Sequence, residues 1–210
     1  MLPPNVAKKI HYRLCLGIGQ THRRSKRTED AIPRLEQAVE LTERPYDKAV
    51  AYTELGTVSD QLGRPQKSIQ VFNLALELAG DPLPNTAMGK LLSIGFNAFR
   101  TIVIPAEWQT YRSDDKRRLA SMRDAIWSSM WLNHVDADGL LSGFDSCLRA
   151  SIAAFQFGNP GSVAISHAFS AFAWSAIGSR WPGSLLLSRS KRVNSRDPDP
   201  LVAAQISFCQ

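Results

Sequence analysis

The sequence predicts an all-α chain of stacked helical hairpins, and three observations carry that reading. Two segments, Tyr12 to Leu41 and Ala49 to Leu78, align without gaps at an offset of 37 residues. Elsewhere apolar residues recur at helical spacing, as in Leu119, Met122, Ile126 and Met130. Short turns rich in Gly, Pro and Asn separate these stretches. With 210 residues, 44% of them hydrophobic, the protein can bury a continuous core in one or two domains.

The two aligned segments share small and large residues in register. Ile18-Gly19 matches Leu55-Gly56, Ala31 matches Ser68, Leu35 matches Phe72, Ala38 matches Ala75 and Leu41 matches Leu78. Each match has a mechanical reason. Gly19 and Gly56 stand where two helices touch and a side chain would separate the backbones. Ala31 and Ser68 serve the same close approach at the start of the second helix. Leu35 and Phe72 lie four residues further along that face and fill the space between the helices. Gly63 suits a left-handed turn and Pro65 the first helical turn after it. Thr28 before Glu29-Asp30 reads as an N-cap, with the acids facing the positive helix end.

The second segment reads Tyr52-x2-Leu55-Gly56-x2-Ser59, then Ser68-x3-Phe72, Ala75 and Asp81-Pro82. The first reads Cys15-x2-Ile18-Gly19-x2-His22, then Ala31-x3-Leu35 and Ala38. This spacing resembles the tetratricopeptide repeat, with His22 and Ser59 where that family usually carries an aromatic. The resemblance implies a right-handed α-α superhelix, a solenoid of helical hairpins. One hairpin alone exposes its apolar face, so neighbours must stack on it. The two repeats are assigned to 8–82. Residues 85–158 are a degenerate helical region, with helices over Asn85 to Val103, Asp115 to Leu132 and Gly139 to Phe157. They are helical by pattern only. Pro105, Asn133 to Asp138, and Gly158 to Gly161 mark the turns there. Residues 161–198 form a degenerate third unit: Ala171 takes the small position, Trp174 the aromatic one, Gly178 the turn, Leu187 the place of Phe72 and Ser190 that of Ala75. Residues 199–210 begin a further helix after Asp199-Pro200. The apolar C-terminus without a polar capping helix is read as a truncated fragment of a longer repeat protein.

Four short stretches point further: Gly89-Lys90-Leu91-Leu92, Trp131-Leu132-Asn133, Leu148-Arg149-Ala150-Ser151, and Gly158 to Ser162. In this order they resemble the C-terminal helical-repeat region of bacterial multidomain signalling proteins. Those proteins join an ATPase module of the AAA/STAND type to an adenylate or guanylate cyclase or a protein kinase. The resemblance implies a regulatory segment in contact with such a domain.

Charge is uneven within a net +6. Residues 1–27 hold seven Lys or Arg and no acid, and residues 180–196 hold five and no acid. Such patches attract phosphate-rich partners, but no aromatic interleaving accompanies them, which disfavours nucleic acid. No segment offers about 20 consecutive apolar residues, so no membrane span is read. Cys15, Cys147 and Cys209 lie far apart and read as buried thiols in a reducing, cytoplasmic setting.

Catalytic and ligand motifs fail their tests. Leu16-Gly17-Ile18-Gly19-Gln20-Thr21 lacks the third glycine and the lysine of a phosphate loop. Ser113-x-x-Lys116 and Ser188-x-x-Lys191 lack their companion motifs. His134, Asp136, Asp138 and Gly139 echo a calcium loop, but its first and last ligand positions hold His134 and Asp145, so a polar turn is the better reading. His11, His22, His134 and His167 have no metal-ligand spacing. The reading is therefore a non-catalytic scaffold without cofactor or metal. Its partner-binding groove, in the family frame, falls on Arg13, Gln20, Arg23 and Arg24 and on Thr53, Thr57, Asp60 and Gln61, with Val50 beside them. A basic first unit beside a polar second suits an acidic peptide or a C-terminal carboxylate. Two other readings stay open: a part of an ATPase, cyclase or kinase, and a basic nucleic-acid-binding repeat.

Overall fold

The protein is described here by a computed structural model covering residues 4–84 and 86–209; for Pro4, Asn5, Leu132, Asp136 to Asp138 and Phe208 the backbone alone is described. The described residues are helical almost throughout and contain no strand. They divide into two compact units, residues 1–83 and 84–210.

The first unit contains α1 (Pro4–Arg24), α2 (Thr28–Leu41), α3 (Pro45–Gln61) and α4 (Pro65–Leu78). They form two hairpins, α1/α2 and α3/α4, stacked through α2 and α3. The close approaches fall where the repeat frame puts them. A Cβ added to Gly19 would lie 2.6 Å from Leu35 Cδ2, and one added to Gly56 would lie 2.5 Å from the Phe72 ring. Leu35 and Phe72 are fully buried against those glycines. Ser68 adds a hydrogen bond, its Oγ donating to the Gly56 carbonyl at 3.1 Å. Tyr12 ties α1 to α3 by donating to the Asp47 carbonyl at 2.8 Å, and Cys15 is buried beneath it.

Two local details differ from the sequence reading. Thr28 is the first helical residue of α2, and neither it nor Arg27 caps the helix through a side chain. The acids Glu29 and Asp30 still occupy the first turn, where the helix dipole favours them. At the tip of the first hairpin Lys26 takes φ +61°, in the register occupied by Gly63 (φ +66°) in the second. A side chain in that left-handed conformation costs about 1 kcal/mol.

The second unit contains α5 (Ala87–Val103), the short α6 (Ala106–Gln109), α7 (Asp114–Asp138), α8 (Leu140–Phe157), α9 (Pro160–Ala176), α10 (Arg180–Arg196) and α11 (Pro200–Phe208). Here α7 pairs with α8 and α9 with α10, while α5 packs on α8 and α11 on α9. The expected turn at Asn133 to Asp138 is corrected: α7 runs through it to Asp138, and Gly139 alone (φ +86°) reverses the backbone. His134 is thus a buried helical residue hydrogen-bonded to Ser146, while the Asp136 and Asp138 side chains of the calcium-loop echo lie outside the described residues.

The α7/α8 hairpin also shows why the repeat pattern was unreadable there. Its small contact residue sits on the second helix: a Cβ on Gly143 would lie 3.1 Å from the Trp131 carbonyl and collide with Val135. The first helix carries Trp131 at the matching contact instead of a glycine. Gly183 does the same in α10, where a Cβ would lie 3.1 Å from the Ala171 carbonyl. Aligned on these contacts, the second helices read Ala31-x3-Leu35-x2-Ala38, Ser68-x3-Phe72-x2-Ala75, Gly143-x3-Cys147-x2-Ala150 and Gly183-x3-Leu187-x2-Ser190. All these positions are buried except Leu187, which is half-buried. Ser190 repeats the role of a small contact by donating to the Ala164 carbonyl at 2.7 Å.

Polar groups set the register of α5 and α6 on α8. Asp145 accepts from Ser93 (3.1 Å) and Arg149 (3.0 Å), and Arg149 also donates to Ser93 at 2.7 Å. The Asp145–Arg149 pair is buried, with side chains 5% and 10% exposed, and the guanidinium lies over the Trp127 ring. Four C-terminal carbonyls of α8 find donors: Ala154 from Gly158 N, Phe155 from Thr110 Oγ1, Gln156 from Tyr111 N and Phe157 from Arg117 Nε. These bonds satisfy the orphan end of α8 and pin α6 beside it. The outer side of α5 exposes Met88, Leu91, Leu92, Phe96, Phe99 and Val103, each more than half accessible. An apolar stripe of this extent on a surface helix is characteristic of interaction surfaces.

Candidate functional site: a polar face across α1 and α3

The predicted groove residues lie on the first helices of the two N-terminal hairpins. Arg13, Gln20, Arg23 and Arg24 are on α1, and Val50, Thr53, Thr57, Asp60 and Gln61 on α3. The structure joins the two sets through Glu54, which the sequence reading omitted. Glu54 Oε1 accepts from Gln20 Nε2 and Oε2 accepts from Arg23 Nε, both at 2.9 Å. Arg23 and Glu54 keep 21% and 18% of their side-chain surfaces exposed, so this is a half-shielded ion pair across the face. Such a pair adds modest stability and chiefly fixes geometry.

The pairing changes the electrostatics of the face. Arg23 is neutralised by Glu54, whereas Arg13 and Arg24 remain solvent-exposed. Helix α1 has no carboxylate of its own, which leaves its field positive. Thr53 and Thr57 turn their hydroxyls back onto the Ala49 and Thr53 carbonyls, so each presents its methyl group and a hydroxyl oxygen still able to accept. Gln61 is exposed at the end of α3 and Asp60 is half-buried. Glu54 was missed because the family frame marks positions, while the ion pair depends on which α1 side chain reaches across. The signal available was an acid on α3 opposite a run of cations on α1.

The Leu16–Thr21 stretch that echoes a phosphate loop is regular helix inside α1. Gly19 is occupied there by the contact with Leu35. Among the described residues no group of three His, Cys, Asp or Glu is placed to hold a metal ion. No helix among them is long and apolar enough to cross a membrane. Cys147 is fully enclosed, and burial pushes its thiol up to about 12, so it is a packing residue.

No curated protein and no solved structure matches the sequence. A family model does: residues 13–81, the two stacked hairpins of the first unit, match the tetratricopeptide repeat.

Proposed function

We propose that the protein is a non-catalytic helical-repeat scaffold that binds a protein or peptide on the α1–α3 face. Tetratricopeptide repeats commonly bind proteins or peptides, and the match over residues 13–81 supports that kind of partner. The observation that carries the site is the Gln20–Glu54–Arg23 bridge, which holds the two first helices in one polar surface. The exposed apolar stripe on α5 supports the wider reading that this protein works through interfaces.

The favoured partner is acidic, either a carboxylate-rich peptide or the C-terminal carboxylate of another protein. Arg13 and Arg24 supply the charge, and Arg23 contributes through the bridge rather than as a free cation. The test compares capture of partners by the full-length protein and by an Arg13→Glu/Arg24→Glu variant. Both residues are exposed, so the variant retains the fold, checked by circular dichroism. Loss of capture at unchanged helicity is the expected result; undiminished capture refutes the acidic-partner reading. Arg23→Glu is unsuitable because it would set two carboxylates against each other beside Glu54.

The link to an ATPase, cyclase or kinase parent rests on the sequence resemblance alone, as does a cytoplasmic setting. Finding a Walker motif upstream in the surrounding coding sequence would support that parentage. A nucleic-acid role would require binding that falls steeply with salt.

A further inference from the structure

The basic run of α10 forms something the scaffold reading does not use. Arg189, Arg192 and Arg196 stand at three- and four-residue spacing on one side of α10. With Glu107 of α6 and His167 of α9 they line a cavity of about 240 Å³. Arg189 is held in place by its bond to the Thr101 carbonyl at 3.3 Å. Arg192 and Arg196 are exposed, and neither forms an ion pair among the described residues. His167 is only 3% exposed, with its ring against Phe155, and its Nδ1 has no hydrogen-bond partner among the described residues. A buried ring nitrogen without a partner is costly unless a ligand or ordered water completes it. A second hollow of about 200 Å³ continues from the first along Glu107, Val193 and Arg196, and is bounded further on by Thr110, Pro160, Val163 and the carboxylate of Asp197.

We propose that this cavity is a binding site for a small phosphate monoester, its phosphate held by Arg189, Arg192 and Arg196 and its organic group lying in the adjoining hollow. The charge balance selects the ligand. In the first cavity three guanidiniums against one carboxylate leave two positive charges in excess, Asp197 lining only the adjoining hollow, and a phosphate monoester carries close to two negative charges at neutral pH. A carboxylate would neutralise only one. Arginine's planar fork suits phosphate oxygens in bidentate pairs. Burial and the nearby Arg189 hold the His167 imidazole well below its ordinary range, at about 4, so it is neutral at pH 7. A dianion bound beside it reverses the influence of Arg189 and raises the titration midpoint.

Phenyl phosphate and inorganic phosphate are the probes, titrated into the full-length protein by calorimetry and by histidine ring NMR. Saturable phenyl phosphate binding at millimolar or lower concentration is expected, with at least about tenfold loss in Arg192→Ala/Arg196→Ala, since charged hydrogen bonds contribute this much each. Both residues are exposed, so helicity and thermal unfolding of that variant should match the parent. The His167 midpoint should rise by about one unit or more on saturation. Phenyl phosphate should bind more tightly than inorganic phosphate; equal affinity overturns the role of the hollow. Absence of saturable binding, or binding indifferent to the double substitution, overturns the site.

Discussion

The contact between Gly56 and Phe72 makes a prediction whose sign depends on its partner. Gly56→Ala should stabilise α3 by about 1 kcal/mol through helix propensity alone. In this protein the new Cβ would lie 2.5 Å from Phe72 Cδ1 and Cε1, and the ring is fully buried. Relieving such an overlap costs about 1–3 kcal/mol, so the net effect in the parent is destabilisation of up to about 2 kcal/mol. Phe72→Ala costs about 3–5 kcal/mol by opening a cavity. In that background the overlap vanishes, and Gly56→Ala should stabilise by about 1 kcal/mol. The coupling between the two sites is then about 1–3 kcal/mol. Hydrogen exchange of the α3 and α4 amides reads the first unit directly. All five tryptophans lie beyond residue 83, so their fluorescence reports the second unit and serves as the control. Equal stabilisation by Gly56→Ala in both backgrounds would refute the claim that the glycine exists to admit Phe72.

Two further outcomes follow from local geometry and from titration. Lys26→Gly should stabilise the first unit by about 1 kcal/mol, because glycine adopts φ +61° without penalty; slower amide exchange in α1 and α2 is the readout, and faster exchange would contradict it. In the second unit, burial raises Asp124 from 3.8 to about 7, partly offset by its bond from Ser128, and burial with Arg189 lowers His167 from 6.5 to about 4. Folding therefore takes up a proton at Asp124, whose contribution is greatest at low pH and is lost as pH rises from about 4 through 7. Folding releases a proton at His167, whose contribution is full above 6.5 and is lost as pH falls towards about 4. Over the range they share, from about pH 4 to 6.5, the two slopes oppose each other, each worth up to about 3 kcal/mol there. Urea midpoints followed by tryptophan fluorescence should vary little between pH 4.5 and 6.5 in the parent and fall steeply with acid in Asp124→Asn. An unchanged pH profile in that variant would show that Asp124 titrates normally.

The repeat frame was legible where both helices of a hairpin carry their contact residues at the usual places. Gly19 with Leu35 and Gly56 with Phe72 satisfy that condition. The α7/α8 hairpin does not, because Gly143 on the second helix provides all the room and Trp131 faces it. The polar stretch Asn133 to Asp138 resembled a turn by composition, yet α8 buries His134 within it against Ser146 and the helix continues. Tertiary contact overrides weak local preference of this kind.

The sequence by itself determined the helical class, the first two hairpins, their contact residues and the uneven basic charge. These follow from spacing along the backbone, because helix geometry converts intervals of three and four into a shared face. Only the tertiary structure decided which charges are paired and which are free. Glu54 lies 31 residues from Arg23 and neutralises it, while Arg192 and Arg196 converge on a cavity with a buried histidine 25 and 29 residues away. Intervals of that length carry no geometric information until the helices are packed, so the electrostatics of both faces had to wait for the fold.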